Sequence, residues 1–461
     1  MKRLLARPLW MVLLLALALR IGALVALPGI FRFELTDQIH GSTAYDEYAL
    51  NWLATGVYGR EPGVPDAAIP PLYSIVLAEL YATLGRSGWQ VGLMHTAFDL
   101  LSIVLLYQIA RRLFTRGHFF GRSAGEWVGL LGGLFMACYP YLIFQNLTLN
   151  DTALFMSLFY GFTLLLILLR EREARDRVTW LLAIGAGLVL GITTLGRALL
   201  PPFALLAALW FLLRRPLGDT VLRLLPVAGI SLLVLLPWTL RNYEIYGGFV
   251  AVALNTGENL YQGANDQTIP LFRAGYDVQW SEPPPETLGI TDRYARNAAL
   301  MQAGLDWLAA NPQRIPELLW VKFLVHWSID IAPLKNPLPG QRFALDEEGA
   351  LLVLEDPAAD KQDIEVIALY SGTLFDQVGR PVHIVYYGGL FLLALLGMAL
   401  TLKQWRTVAL LWAAQFSMTF MYLLFHPSTR YRVPTDPLLF LFAAYALLWL
   451  AQRWRERGSL R

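Results

Sequence analysis

"PPLYSIVLAELYATLG", residues 70–85, decides how this chain is threaded, because whether those 16 residues cross a bilayer sets the side on which every later segment lies. A crossing helix needs roughly 20 apolar residues at ~1.5 Å of rise each. The stretch falls short of that length, and its opening Pro-Pro suits the first turn of a helix, where a missing N–H leaves no bond unmade. It reads as a helix lying along the membrane surface.

The arginines lead to the same reading. Short basic connections occur at "RRLFTRGHFFGR" (111–122), "REREARDR" (170–177), "RRPLGDTVLR" (214–223), "KQWR" (403–406) and the C-terminal "RWRERGSLR", and "MKRLLAR" begins the chain. Such connections stay in the cytoplasm. All share one side if the first helix runs outward, the helix at 91–113 returns, and everything from 29 to 90 stays outside. The remaining expected spans are 126–146, 151–169, 179–196, 198–213, 221–240, 382–402, 407–425 and 436–452. The same parity keeps 241–381 outside, so "ELLWVKFLVHWSI" (317–329) is an interfacial segment or a hairpin. That long loop is acidic: residues 242–381 hold 19 of the chain's 35 Asp and Glu, against 9 Lys and Arg.

Composition agrees. With 461 residues, 56% hydrophobic and only 16% charged, and a mean hydropathy of +0.46, the chain is an all-α polytopic membrane protein of about ten helices and not a nucleic-acid binder. Both termini are expected in the cytoplasm and the long loops outside an inner cell membrane. The expected parts are a transmembrane module at 1–240 with its outer loop at 29–90, an extracytoplasmic loop at 241–381 and C-terminal helices at 382–461. The N-terminal run is shaped like a signal peptide but is long enough to cross, so it reads as an uncleaved first helix in which Arg20 either snorkels outward or faces the bundle interior. Cys138, the only cysteine, excludes a disulfide framework and reads as a small core residue.

The charged residues that remain sit at outer helix ends. "TAYDEYALNWLATGVYG" (43–59) reads as a short amphipathic surface helix stopped at Gly56, with Asp46 and Glu47 in its first turn. Dipole complementarity alone accounts for such a pair. Asp151 follows "QNLTLN" at an outer end, where a plain N-cap is the competing role. Arg197 in "TTLGRALLPP", Arg241 in "LLPWTLRNYEIYGGF", and Arg430 and Arg432 in "HPSTRYRVPTDP" also fall at outer boundaries. Snorkelling explains any one of them, but four on the side where arginines are scarce point to an anion held at that surface, and a phosphate with a lipid tail fits.

The order of "YDEYALNWLATGVYG", "PPLYSIVLAELYATLG", "LGRALLPP", "LLPWTLRNYEIYGGFVAVALNTGENLYQGAND" and a late "RYRVPTDPLL" resembles the GT-C glycosyltransferases, in particular glycosyltransferase family 39, the protein O-mannosyltransferases and aminoarabinose transferases. The likeness runs to about residue 270 and returns near 430. It implies a GT-C bundle with interfacial helices in the first outer loop and a long outer loop between helices 7 and 8. The implied activity is transfer of a sugar from a polyprenyl-phosphate donor to an acceptor hydroxyl outside the cell, with inversion, the acceptor being a lipid, a glycan or a protein. It also implies catalytic roles for Asp46, as general base, and for Glu47 and Asp151. Arg197, Arg241, Arg430 and Arg432 are the phosphate candidates, and Tyr45, Tyr73, Asn255 and Asn259 the sugar candidates. A divalent Mg²⁺ or Mn²⁺, if one is used, would take Asp46 and Asp151. One departure stands out: the aminoarabinose transferases carry a basic residue just before the proline of the second surface helix, and "DAAIPPLY" has none.

The rival reading is a transporter or flippase of lipid-linked sugars. Transporters place ionisable residues and broken helices near the midplane, often in repeated halves. Here the charges gather at the outer rim and no repeated halves are visible.

Overall fold

The computed structural model describes residues 7–27, 31, 33, 41–338, 340–355 and 377–458; the basic start at 1–6, much of 28–40 and the stretch 356–376 lie outside them. The chain is a bundle of helices with two minor hairpins, and it is an integral membrane protein. In chain order the first half comprises α1 (Arg7–Ala26), α2 (Ala44–Thr55), α3 (Pro71–Leu84), α4 (Gly88–Leu113), α5 (Ala124–Ala137), α6 (Pro140–Gln145), α7 (Thr152–Glu171), α8 (Arg177–Gly196), α9 (Leu200–Leu212) and α10 (Leu217–Tyr246). The long loop folds as α11 (Thr256–Gly263), α12 (Thr268–Ala274), α13 (Pro285–Leu288), α14 (Arg293–Ala310) and α15 (Ile315–His326). Then come α16 (Arg380–Leu400), α17 (Trp405–Leu424), α18 (Thr429–Arg432) and α19 (Asp436–Gly458).

Among the described residues, eight helices are long and apolar enough to cross a membrane. The expected spans at 126–146 and 198–213 are helical but shorter. The first breaks at Cys138-Tyr139, where Pro140 starts a new helix, and leaves α5 with 14 residues; α9 carries Pro201-Pro202 in its first turn and has 13. At ~1.5 Å per residue each covers only about 20 Å of a ~30 Å core. The segment at 70–85 is the 14-residue α3, and 317–329 falls largely within the 12-residue α15.

The core lies where α19 runs between α5 and α16, with α4 on α5 and α7. Leu438 to Ala444 of α19 are buried without interruption, which explains why that helix is apolar all round. Close crossings rest on glycine: a Cβ on Gly187 or Gly191 of α8 would lie 2.7 Å from Ile230 Cβ or 2.6 Å from Val234 Cβ of α10. Such small residues let helix backbones approach in a bilayer, where tail solvation supplies little drive to associate.

Connections sort to two ends. At one, Arg112 pairs with Glu171 at 2.6 Å, Arg214 and Arg215 with Glu173 at 2.9 Å, and Arg175 with Asp219 at 2.9 Å. At the other, the first loop meets the long loop: Leu254 N–H donates to the Ala67 carbonyl at 2.7 Å, and Arg293 pairs with the buried Asp66 at 2.6 Å. Arg20 faces inward, fully buried and 2.7 Å from Asp99. Cys138 is half-buried.

Candidate active site

α2 stops at Gly56, whose left-handed φ of 68° lets its N–H reach the Trp52 carbonyl. The helix buries Tyr48 and Ala49 but also Asp46 and Asn51, while the apolar Leu53 is 44% exposed. This rotation aims Tyr45 and Asp46, about 100° apart on a helix, at different neighbours. Tyr45 reaches a cavity of ≈ 570 Å³.

Asp151 is the residue before α7, but its carboxylate caps nothing. It turns instead to Arg197, the residue after α8, which donates from Nε and Nη2 at 2.7 and 2.5 Å. Arg430, in α18, brings Nη2 to 4.0 Å from the same carboxylate and donates to the Gly41 carbonyl at 3.3 Å. All three line the cavity. Burial would push the Asp151 carboxyl up, but the Arg197 guanidinium holds it below the ordinary carboxylate range. Burial likewise opposes the Arg197 charge, and Asp151 overcomes it, so that Arg197 binds its proton more tightly than a free arginine.

Two guanidiniums thus face one carboxylate, a buried surplus of positive charge. Among the described residues, two of their N–H groups, Arg197 Nη1 and Arg430 Nε, are buried with no hydrogen-bond partner. An unpaired charged donor out of water costs several kcal/mol, so this end of the cavity suits an anion. Nearby stand Asn255, Asn259 and His426; His426 Nε2 lies 3.4 Å from Asn259 Oδ1. Burial and then Lys322 lower His426 to about 4, so its ring is neutral. Tyr422 and Tyr431 stack in parallel at 4.9 Å beside them.

The rest of the cavity is mostly apolar. Leu199, Val250, Val252, Leu254, Met301 and Met421 line it, and Phe249 stands 74% exposed on its rim. Residues 249–254 hold their course as a wall because side chains of α10 take up their carbonyls: Trp238 Nε1 donates to Val252 at 2.8 Å and Asn242 Nδ2 to Val250 at 3.1 Å.

Of the residues expected from sequence, the cavity collects Tyr45, Asp151, Arg197, Asn255, Asn259 and Arg430. It does not collect the others. Asp46 faces α3, accepting from Tyr81 at 2.8 Å and from both Arg86 Nε and Nη2 at 3.0 and 2.8 Å. Glu47 pairs on the surface with Arg60 at 2.6 Å. Tyr73 is buried beneath Tyr45, rings 4.8 Å apart, with its hydroxyl 2.6 Å from His95. Arg241 donates to the Tyr58 carbonyl at 2.6 Å and lines a separate groove with Trp52 and Trp238. Arg432, about 200° round from Arg430, is fully buried against Asp436 at 3.1 Å. His426, Tyr422 and Tyr431 are the residues sequence reading passed over. The signal was there for two of them, since His426 and Tyr431 fall in the stretch that supplied Arg430.

A divalent cation does not fit this donor set. Asp46 and Asp151 belong to separate clusters, both Asp151 oxygens are engaged by Arg197, and among the described residues no three His, Cys, Asp or Glu gather as a metal site.

The family model described as dolichyl-phosphate-mannose-protein mannosyltransferase matches residues 68–240. Comparison with curated proteins gives no match. Among solved structures, the oligosaccharyltransferase of Archaeoglobus fulgidus, in complex with zinc and sulfate, aligns at TM-score 0.55 and 13% identity over 98% of this chain and 50% of its own. The chain has the GT-C glycosyltransferase fold. The same archaeal GT-C protein, AglB, bound to an inhibitory peptide and a dolichol-phosphate, aligns at 0.52 with 14% identity, covering 98% of this chain and 51% of that one. The chain therefore spans about half the length of these GT-C structures. ArnT from Cupriavidus metallidurans aligns at 0.37 with 16% identity, covering 93% of this chain and 76% of its own.

Proposed function

We propose that this protein transfers a sugar from a polyprenyl-phosphate donor to a hydroxyl on an extracytoplasmic acceptor, with inversion at the anomeric carbon. The observation that carries the reading is the pair of guanidinium N–H groups, Arg197 Nη1 and Arg430 Nε, that find no partner among the described residues, at the charged end of a mostly apolar cavity. A lipid phosphate matches both halves: the phosphate answers the surplus positive charge and the isoprenoid lies along the apolar wall. The family model over 68–240 and the dolichol-phosphate held by AglB point the same way. The basic connections gathered at the opposite end support an extracytoplasmic cavity.

Sugar transfer needs three things. Positive charge must hold the departing phosphate as the anomeric C–O bond breaks, a base must take the acceptor's proton, and polar groups must orient the sugar. Arg197 and Arg430 supply the first. Asp151 is the carboxylate within the cavity, and it is our base. In the free protein its basicity is suppressed by Arg197; a bound phosphate draws the guanidiniums to itself, loosens their hold on Asp151 and raises its affinity for a proton only when donor is present. Tyr45, Asn255, Asn259 and the neutral His426 face the space left for sugar and acceptor. Asp46 acts from behind: with Tyr81 and Arg86 it ties α2 to α3 and so sets Tyr45 at the wall.

The test is reconstitution in liposomes with radiolabelled polyprenyl-phosphate sugars and crude envelope acceptors. Label should appear covalently in an acceptor, and Asp151→Asn should abolish it. Label that crosses the bilayer still attached to its polyprenyl carrier would replace the transferase with a flippase.

A further inference from the structure

A buried stretch of non-helical chain is costly in a membrane bundle, because each backbone polar group there must find a partner within the protein. Residues 146–151, "NLTLND", are such a stretch: all six are at most 4% exposed, yet they form the turn that ends in Asp151. Side chains of the turn itself satisfy much of it. Asn150 Nδ2 donates to the Gln145 carbonyl at 2.7 Å and to Thr148 Oγ1 at 2.9 Å, and Asn150 Oδ1 accepts from Thr152 N–H at 3.0 Å. Arg197 Nη2, besides binding Asp151, approaches Thr152 Oγ1 at 3.4 Å.

The turn is anchored from below by an ion pair that the transfer chemistry does not use. Arg20 of α1 and Asp99 of α4 are both fully buried, with Arg20 Nε 2.7 Å from Asp99 Oδ2. The same oxygen accepts from Asn146 Nδ2 at 3.2 Å. Arg20 Nη1 donates to the Ala137 carbonyl at 3.0 Å, at the end of α5 where the helix breaks. One carboxylate oxygen thus joins α1, α4 and the turn, and the same arginine takes up a carbonyl at the break before that turn.

We infer that the Arg20–Asp99 pair, acting through Asn146, is a positioning device that fixes the 146–151 turn and thereby holds the Asp151 carboxylate at the cavity. The inference rests on the reading of Asp151 as the base. A buried pair is weak evidence for stability as such, since apolar replacements of similar volume are often as stable. The hydrogen bond from Asn146, which ties the pair to the turn, gives this pair its specific task.

Asn146→Ala removes that link and leaves the ion pair intact. Hydrogen exchange of the 145–152 peptide in the full-length protein should quicken by roughly tenfold, the worth of one bond to a charged group, and kcat should fall by a similar factor with donor KM unchanged. The double variant Arg20→Leu with Asp99→Leu, which leaves no orphaned charge, should reproduce both effects. Unchanged exchange in 145–152 overturns the inference, and so does quickened exchange with wild-type kcat. If the wild-type protein transfers no sugar at all, the function proposed above fails, and exchange alone decides the anchor: a loosened turn supports it and an unchanged one refutes it.

Discussion

Replacing Arg197 by lysine keeps the charge and removes the fork. In the free protein the guanidinium spends Nε and Nη2 on Asp151, at 2.7 and 2.5 Å, and Nη1 has no partner among the described residues. An ammonium can satisfy one carboxylate oxygen and cannot at the same time present a second donor in the same plane. The donor phosphate therefore loses one charge-assisted hydrogen bond. Such a bond is worth about 1.5–3 kcal/mol, or roughly 10- to 150-fold in affinity. Lysine is the better choice over alanine, because alanine would also strand a buried carboxylate with only Arg430 nearby, a defect on the order of 3–5 kcal/mol that confounds binding with folding. The assay is titration of a short-chain polyprenyl phosphate into detergent-solubilised protein, read by tryptophan fluorescence, with acceptor KM taken from the transfer reaction. Donor affinity should fall within that range while acceptor KM moves less than about twofold. Equal losses for both, or an unchanged donor affinity, would refute the placement of phosphate at Arg197. Arg241→Lys serves as the internal control: that side chain grips the Tyr58 and Asp66 carbonyls away from the cavity and should leave donor affinity as it is.

Asp151→Asn should abolish turnover with the fold retained, whereas Asp46→Asn should cost about 1 kcal/mol, its Arg86 partner being 37% exposed, and leave substantial turnover; the opposite pattern at matched stability moves the base to Asp46. Lys322 is buried in α15 with its Nζ on the Leu423 carbonyl at 3.0 Å, and burial lowers it to about 7. Because the unfolded chain holds this proton up to about pH 10.4 and the folded one releases it near 7, stability should rise with pH between those values. Lys322→Met should flatten that rise and lift the melting temperature by a few degrees at neutral pH; an unchanged slope contradicts the burial argument. Chelators should leave transfer intact, since Asp46 and Asp151 stand in separate clusters; loss of activity in EDTA that Mg²⁺ or Mn²⁺ restores would contradict this.

Much of the scaffold was legible because it follows from local rules. The Pro-Pro start of α3, the Gly56 stop of α2 and the placement of Asp151 and Arg197 at helix ends all read directly from spacing and residue type. What escaped was rotation. Asp46 and Tyr45 are neighbours in sequence, but a helix sends them to different partners, and the partner that claims Asp46, Arg86, lies 40 residues on with no pattern to announce it. Arg430 and Arg432 diverge for the same reason, one into the cavity and one into the core. The break at Cys138-Tyr139 was also hidden, because the apolar run continues through it and Pro140 serves equally to start a helix or to kink one. Arg20 could be read only as a choice between lipid rim and bundle interior until its partner Asp99 was in view.

The most direct test of the central claim is a structure with a polyprenyl phosphate bound. We expect the phosphate about 3 Å from both Arg197 Nη1 and Arg430 Nε, the isoprenoid along Val250 and Val252, and at least one Asp151 oxygen released from Arg197. A phosphate seated in the groove beside Arg241, or an Asp151–Arg197 pair left untouched by the ligand, would contradict it.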